Sequence, residues 1–315
     1  MSTRWSGVFP ALTTPFRDDL RVDHAALGAH IERMLQAGVH GLVLLGSLGE
    51  SGSLSTEEKL AILTTAVGAV ARRVPVLAGV AEPTPEDAER RSGEATAAGA
   101  DGVMLLPPMR YRGDPRETLT YLARVAGAST LPVMIYTNPV AYGTDVRPEM
   151  FAELSRVPSI VALKESSEDP RRITDIIGLT EDRYQIFIGV DDLALESFLL
   201  GAVGWVAGLV CAFPEESVAL YGLAQAGHWE EARRLYRWFM PLLHLDATPR
   251  FVQAIKLVQE LVGLTSARVR PPRLGLPQEE RSRIERVVHR AREHGGELEA
   301  LIRLGGECAR SAGKG

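Results

Sequence analysis

Lys164 stands in the stretch IVALKESSEDP, residues 160–170, directly after four apolar residues, Ile160 to Leu163. A lysine at the end of a buried strand either snorkels its ammonium to the surface or is a reagent, because burying that charge without a partner is expensive. The chemistry that wants a lysine here is imine formation. The amine must be neutral to attack a carbonyl, and an apolar surround lowers its pKa by disfavouring the charged form. Condensed with a 2-oxo acid, the nitrogen becomes an iminium that accepts the electrons released when a bond one carbon further out breaks. The lysine then replaces a metal as electron sink.

Two other stretches bear on that chemistry. Tyr136 ends an apolar run in MIYTNPVAYG, before the turn signals Asn138-Pro139 and Gly143. A tyrosine there can relay protons to and from the carbinolamine and the carbanion-like carbon; its plainer reading is an aromatic plug. In GSLGES, residues 46–51, Gly46 and Gly49 let the backbone approach a ligand, and the amides around Ser47 and Leu48 suit a carboxylate. Alone, that G-x-x-G is more often just a loop. The seven histidines, His24, His30, His40, His228, His244, His289 and His294, fall in helices, at a strand start or in the C-terminal region. None ends a strand, where a metal-dependent aldolase needs ligands, so neither a metal nor another cofactor is expected.

The elements that must position these residues are legible as a rhythm. Apolar runs at 7–13, 41–46, 76–80, 102–106, 133–136, 160–164, 186–189 and 204–210 alternate with helix-like segments. The segment STEEKLAILTTAVGAVARRV opens with Ser55 or Thr56 as N-cap and Glu58 placed for a capping box. Two others, VDHAALGAHIERMLQAGVHG and TPEDAERRSGEATAAGADG, reach an Ala-Gly that suits a C-cap. Continuous apolar strands alternating with helices imply a parallel sheet covered on both faces, and eight such units match a (β/α)₈ barrel. An open doubly wound sheet competes, but no GxGxxG follows the first strand. The barrel is expected over 1–227, a helical extension over 228–304 with Pro241 breaking its first helix, and a fraying tail over 305–315. In the barrel, Lys164 and Tyr136 end strands on the face where such folds do chemistry.

Composition restricts the setting further. The 315 residues carry a net charge of −5 and are 45% hydrophobic, with none of the clustered basic residues of a nucleic-acid binder. Cys211 and Cys308 are far apart and outside any CxxC spacing, so neither a disulfide framework nor a zinc knuckle is indicated. MSTRWSGVFP lacks the apolar region of a signal peptide, and the cytoplasm is the expected location. The uncharged stretch Ser197 to Pro214 is broken by Gly201, Gly204 and Gly208 and reads as a helix end, a buried strand and a loop rather than a membrane span.

GVFPALTTPF at 7–16, GSLGES at 46–51, IYTNPVAYG at 135–143 and VALKESS at 161–167 together resemble the dihydrodipicolinate synthase / N-acetylneuraminate lyase family, with matching order and spacing over about residues 7–290. The resemblance implies a (β/α)₈ barrel with a helical C-terminal extension, commonly a homotetramer, that forms a Schiff base between Lys164 and pyruvate or another 2-oxo acid. It assigns the proton-relaying tyrosine to Tyr136 and a hydroxyl of the relay to Ser47. It also carries Gly189, Asp191 and Asp192, in GVDDLALES, over to the lyases' contacts with hydroxyls of an acyclic sugar acid. Carboxylates suit such donors because they only accept. Either aspartate could equally cap the helix that follows.

The departures from the family pattern are informative. Makers of dihydrodipicolinate resemble GTTGE where this chain has Leu48, and carry an arginine five residues after the tyrosine, where this chain has Ala141. An alanine cannot replace a bidentate clamp on a second carboxylate. Arg147 lies six residues further on, starting the next helix, and is not promoted to that role. The neighbouring-subunit tyrosine of those synthases falls in PPMRYRGD, where either Tyr111 fills the place after a small slip or Arg110 brings a cation into the site. The expectation is therefore a class I lyase, cleaving or dehydrating a hydroxylated 2-oxo acid. The runner-up is a 4-hydroxy-tetrahydrodipicolinate synthase. A non-catalytic 2-oxo-acid sensor and, from the glycines at 201, 204 and 208, a phosphate-binding barrel are the readings from other classes.

Overall fold

The computed structural model describes residues 4–293 and 295–312, which leaves His294 outside the described residues. Its centre is a ring of eight short strands: β1 Gly7–Pro10, β2 Leu42–Leu44, β3 Val76–Val80, β4 Gly102–Leu105, β5 Val133–Thr137, β6 Ile160–Glu165, β7 Gln185–Ile188 and β8 Gly204–Ala207. All are parallel, in the order β1-β8-β7-β6-β5-β4-β3-β2. The ring closes where Ala11 bridges Val43, with the Leu12 amide donating to Val43 O at 2.8 Å and the His40 amide to Val8 O at 2.9 Å. Strands buried on both faces need no alternation, which is why they read as unbroken apolar runs.

Helices follow the strands around the outside: α1 His24–Gln36, α2 Thr56–Val70, α3 Pro85–Ala97, α4 Pro115–Ala128, α5 Pro139–Tyr142, α6 Pro148–Leu154, α7 Arg171–Thr180, α8 Ala194–Leu199 and α9 Pro214–Gln225. The expected capping box is present on α2, where Ser55 accepts from the Glu58 amide and Glu58 accepts from the Ser55 amide. Gly38 and Gly99 follow the C-caps of α1 and α3 with φ of 85° and 87°, conformations that favour glycine. The stretch from Ser197 divides as expected, into the end of α8, β8 and a 3-10 turn, Leu209–Cys211. No helix among the described residues is long and apolar enough to cross a membrane.

The extension holds α10 Trp229–Leu243, α11 Phe251–Leu261, α12 Gln278–Arg292 and α13 Gly296–Ala312. Two expectations fail here. Pro241 lies within α10 and does not break it; it sits in the last turn, where little helix remains to be disrupted. Residues 305–312, read from their small, polar composition as a fraying tail, continue α13, while 313–315 lie outside the described residues. Small residues allow the closest helix contact: Cβ atoms added at Gly222 of α9 and Gly305 of α13 would lie 2.1 Å from Gly305 O and 2.3 Å from Ala219 O. The tail's composition is that of a helix crossing.

Extension and barrel are also joined in the core. Lys256 of α11 and Glu50, at the end of the GSLGES loop, form a fully buried ion pair at 2.6 Å. Lys256 donates as well to Arg268 O at 2.5 Å, and Glu50 accepts from the Arg270 amide at 3.0 Å.

Candidate active site

The C-terminal ends of β5 and β6 are in register, with Tyr136 beside Lys164, so both side chains project at one level of the barrel mouth. Lys164 is 7% exposed, and its Nζ lies 4.2 Å from the centroid of the Tyr136 ring. Burial lowers the amine's pKa, against the opposing charges of Tyr142, Asp246 and Asp191. Gly189, just beyond β7, makes room for this side chain: a Cβ there would lie 2.3 Å from Lys164 Cε and 2.1 Å from Ser166 Oγ.

The phenol of Tyr136 is buried, which pushes its pKa up, while the hydrogen bond from Asn138 eases it back. Asn138 Nδ2 donates to Tyr136 OH at 3.1 Å. Tyr142, the last residue of α5, stands edge-on to Tyr136 at 5.9 Å between ring centroids, and its hydroxyl is hydrogen-bonded to Ser47 Oγ. Three hydroxyls from β5, α5 and the loop after β2 thus converge beside the amine. Such a chain can carry a proton to and from an atom bonded to Lys164.

The loop bearing Ser47 is held by strained and buried residues. Leu45 and Glu50 flank it with φ of 62° and 55°, and Thr14 Oγ1 donates to Gly49 O at 2.7 Å. Strain of this kind persists where the surroundings fix the backbone. A Cβ on Gly49 would lie 3.0 Å from Leu12 O, which ties that glycine to close packing. Leu48 turns its side chain into the core, so only its backbone is offered at the mouth.

Several expected contacts fall elsewhere. Asp191 is buried and accepts from Trp205 Nε1 at 3.0 Å, the Gly208 amide at 3.2 Å and the Leu209 amide at 2.8 Å. Its carboxylate fastens the turn after β8 and caps no helix that follows it. Burial pushes its pKa up to about 6. Asp192 is paired through Oδ2 with His244 Nδ1 at 2.7 Å. Arg110 is exposed, and Tyr111 is 64% exposed with its hydroxyl donating to Glu117 at 3.1 Å; neither enters the mouth of this subunit. Arg112 reaches the C-cap of α5, its Cζ 2.6 Å from where a Cβ on Gly143 would stand. Arg147 starts α6 as expected, at its N-cap.

Four residues at this mouth escaped the sequence reading: Tyr142, Ser166, Arg112 and Asp246. Tyr142 and Ser166 lie inside stretches already quoted for Tyr136 and Lys164, so their spacing was a usable signal. Asp246 belongs to the extension and offered none.

The model of the Dihydrodipicolinate synthetase family matches residues 4–291. The 4-hydroxy-tetrahydrodipicolinate synthase of Methanoculleus marisnigri is 32% identical over 290 residues, 90% of this chain and 98% of that protein. That of Natronomonas pharaonis is 34% identical over 288 residues, 90% of this chain and 97% of that protein. Among solved structures, the 4-hydroxy-tetrahydrodipicolinate synthase of Methylacidiphilum fumariolicum aligns with a TM-score of 0.90 at 26% identity, covering 96% of this chain and 99% of that one. A prophage protein of E. coli K12 from the same family, solved in complex with pyruvate, aligns with a TM-score of 0.87 at 27% identity, covering 92% and 99%.

Proposed function

The chain belongs to the dihydrodipicolinate synthetase family and is a lyase, and from that premise we propose that Lys164 forms a Schiff base with pyruvate or a hydroxylated 2-oxo acid. The observation that carries this is the buried Lys164 amine, lowered in pKa and set against the Tyr136 ring at the barrel mouth. Its lone pair attacks the keto carbon, water leaves, and the iminium draws electrons toward C2. Aldol cleavage then breaks the C3–C4 bond; in the dehydratase version a C3 proton leaves and a hydroxyl is expelled. Tyr136 exchanges protons with the carbinolamine and with C3, and Tyr142 and Ser47 extend that relay. The amides around Ser47 and Leu48, with Gly46 and Gly49, receive the 1-carboxylate.

The small-molecule substrate is this protein's partner in our reading, and the cytoplasm its setting, where unpaired Cys211 and Cys308 stay reduced. We place the division between barrel and extension at 227/228, between α9 and α10.

A second reading, 4-hydroxy-tetrahydrodipicolinate synthase, is favoured by the names of the relatives. Against it stands Ala141, exposed on α5, which offers no cation for a second carboxylate. Condensation of pyruvate with aspartate semialdehyde at ordinary enzymatic efficiency would decide for it.

The direct test is to treat the protein with pyruvate and borohydride and weigh the Lys164 peptide. A mass gain of one reduced pyruvate adduct, absent from Lys164→Arg along with turnover, is expected. An unmodified peptide favours a silent 2-oxo-acid sensor.

A further inference from the structure

We propose that Asp246, supplied by the turn after α10, is a catalytic carboxyl that meets the C4 hydroxyl of the substrate. This rests on the Schiff-base reading of Lys164 and assigns the group that handles the other end of the broken bond.

The extension reaches the barrel mouth at this turn. The Asp246 amide donates to Leu243 O at 3.1 Å, and two residues earlier His244 pairs with Asp192 beyond β7. The Asp246 carboxylate then lies directly over Gly208, at the end of β8: a Cβ on Gly208 would stand 2.1 Å from Oδ1 and 2.6 Å from Cγ. Only glycine leaves that space. Oδ1 is buried and has no hydrogen-bond partner among the described residues. An unsatisfied buried acceptor is costly and calls for an explanation. Asp191, on the other side of Gly208, is in the opposite condition, with both oxygens engaged by Trp205, Gly208 and Leu209.

Asp246 also belongs electrostatically to the reacting centre. Its charge acts on Lys164 and on Tyr136. Burial, followed by the neighbouring charge of Asp191, holds its own carboxyl well above the ordinary carboxylate range. A carboxylate held above the ordinary range binds a proton more readily than an exposed one, which suits it to take the C4 hydroxyl proton and give it back. In the cleavage direction the C4–O–H proton passes to Asp246 and the C4=O bond forms. The C3–C4 pair moves into C2=C3, and the iminium becomes a neutral enamine. C3 then takes a proton through Tyr136, water hydrolyses the imine, and Asp246 releases its proton to solvent.

The test compares two reactions of the whole protein. One is cleavage of whichever member of a panel of 4-hydroxy-2-oxo acids the wild type turns over fastest. The other is exchange of the C3 protons of pyruvate for deuterium, followed by NMR, which needs the imine but has no C4 hydroxyl. Asp246→Asn and Asp246→Ala are expected to lower kcat for cleavage by about 10²-fold and to lower exchange at least about tenfold less. Gly208→Ala keeps the carboxyl but places a methyl where Oδ1 lies, and the same selective loss is expected should the other variants not fold. Equal losses in both reactions, or no loss in cleavage, overturn the proposal. Absence of exchange and of borohydride labelling in the wild type instead overturns the Lys164 reading itself.

Discussion

The hydroxyl of Tyr142 is hydrogen-bonded to that of Ser47, so the loop after β2 and the short helix after β5 meet through two side-chain oxygens. Tyr142 also stands edge-on to Tyr136, within the same subunit. Within this subunit the hydroxyls beside Lys164 come from Tyr136, Tyr142 and Ser47, while Tyr111 donates to Glu117. If the three hydroxyls act as one relay, Ser47→Ala and Tyr142→Phe should each lower kcat by about 10²-fold, and the double variant should lose little more than either single one. Additive losses in steady-state kinetics would mean that the two groups work separately.

The amine's depressed pKa sets the sign of the acid limb. Imine formation needs neutral Lys164, so activity rises with pH through the lysine's pKa and levels off below the range of an ordinary lysine. Burial is the largest cause, and Asp246 opposes it. Asp246→Asn should therefore move the limb of pyruvate C3 exchange to lower pH. A limb left in place would show that the Asp246 charge does not act on Lys164.

The buried pair Lys256–Glu50 ties the extension to the GSLGES loop. Truncating Lys256 leaves the buried Glu50 carboxylate with only the more distant Arg273, 3.8 Å from Oε2, as a charged partner, and Lys256→Met should cost about 3–5 kcal/mol in denaturant unfolding. Glu50 keeps the Arg270 amide in that variant, which places the expected cost toward the lower end. Adding Glu50→Gln to Lys256→Met should recover part of the loss, because the charge is then gone. A double variant as unstable as the sum of the singles would refute coupling between them.

What was legible in the sequence was what local chemistry determines. The runs at 76–80 and 160–164 announced strands because a parallel barrel buries both faces, and Ser55 with Glu58 announced a helix start because the cap is made within one turn. Lys164 was legible because its cost depends on the strand immediately before it. The backbone amides that Asp191 holds were not legible, because an aspartate that accepts from backbone amides and one that accepts from a ligand are the same letter. Asp246 was invisible because its place depends on how α10 packs against the barrel. The end of α13 reads as a tail because its residues are small and polar, and Gly305 becomes a contact surface only once α9 is beside it. Gly305→Ala tests this directly: its methyl meets the α9 backbone, and a destabilisation of about 1–3 kcal/mol is expected. An unchanged or raised melting temperature would return residues 305–312 to the status of a tail.

His30 gives the stability of the fold a pH dependence that can be isolated. The ring is buried beneath the barrel's 3-10 turn, with Nε2 2.9 Å from Cys211 O, and burial lowers its pKa from 6.5 to about 4. Above 6.5 the imidazole is neutral in both folded and unfolded chains and contributes no pH dependence. As pH falls from 6.5 toward about 4, the unfolded chain takes up a proton that the folded one refuses, so stability is lost on acidification. The loss attributable to this one group is about 3 kcal/mol across that window. Asp191, raised to about 6 by burial, acts in the opposite sense, its contribution being largest at low pH and lost as pH rises through about 6. The two slopes overlap, and the wild-type curve alone does not separate them. His30→Gln keeps an amide able to donate to Cys211 O and removes the titration. Urea unfolding of both proteins between pH 4 and 7 should therefore show the variant destabilised overall, with its stability falling less steeply toward acid than the wild type's. Parallel curves would mean that His30 titrates alike in folded and unfolded chains, and that the ring is not desolvated as the structure places it.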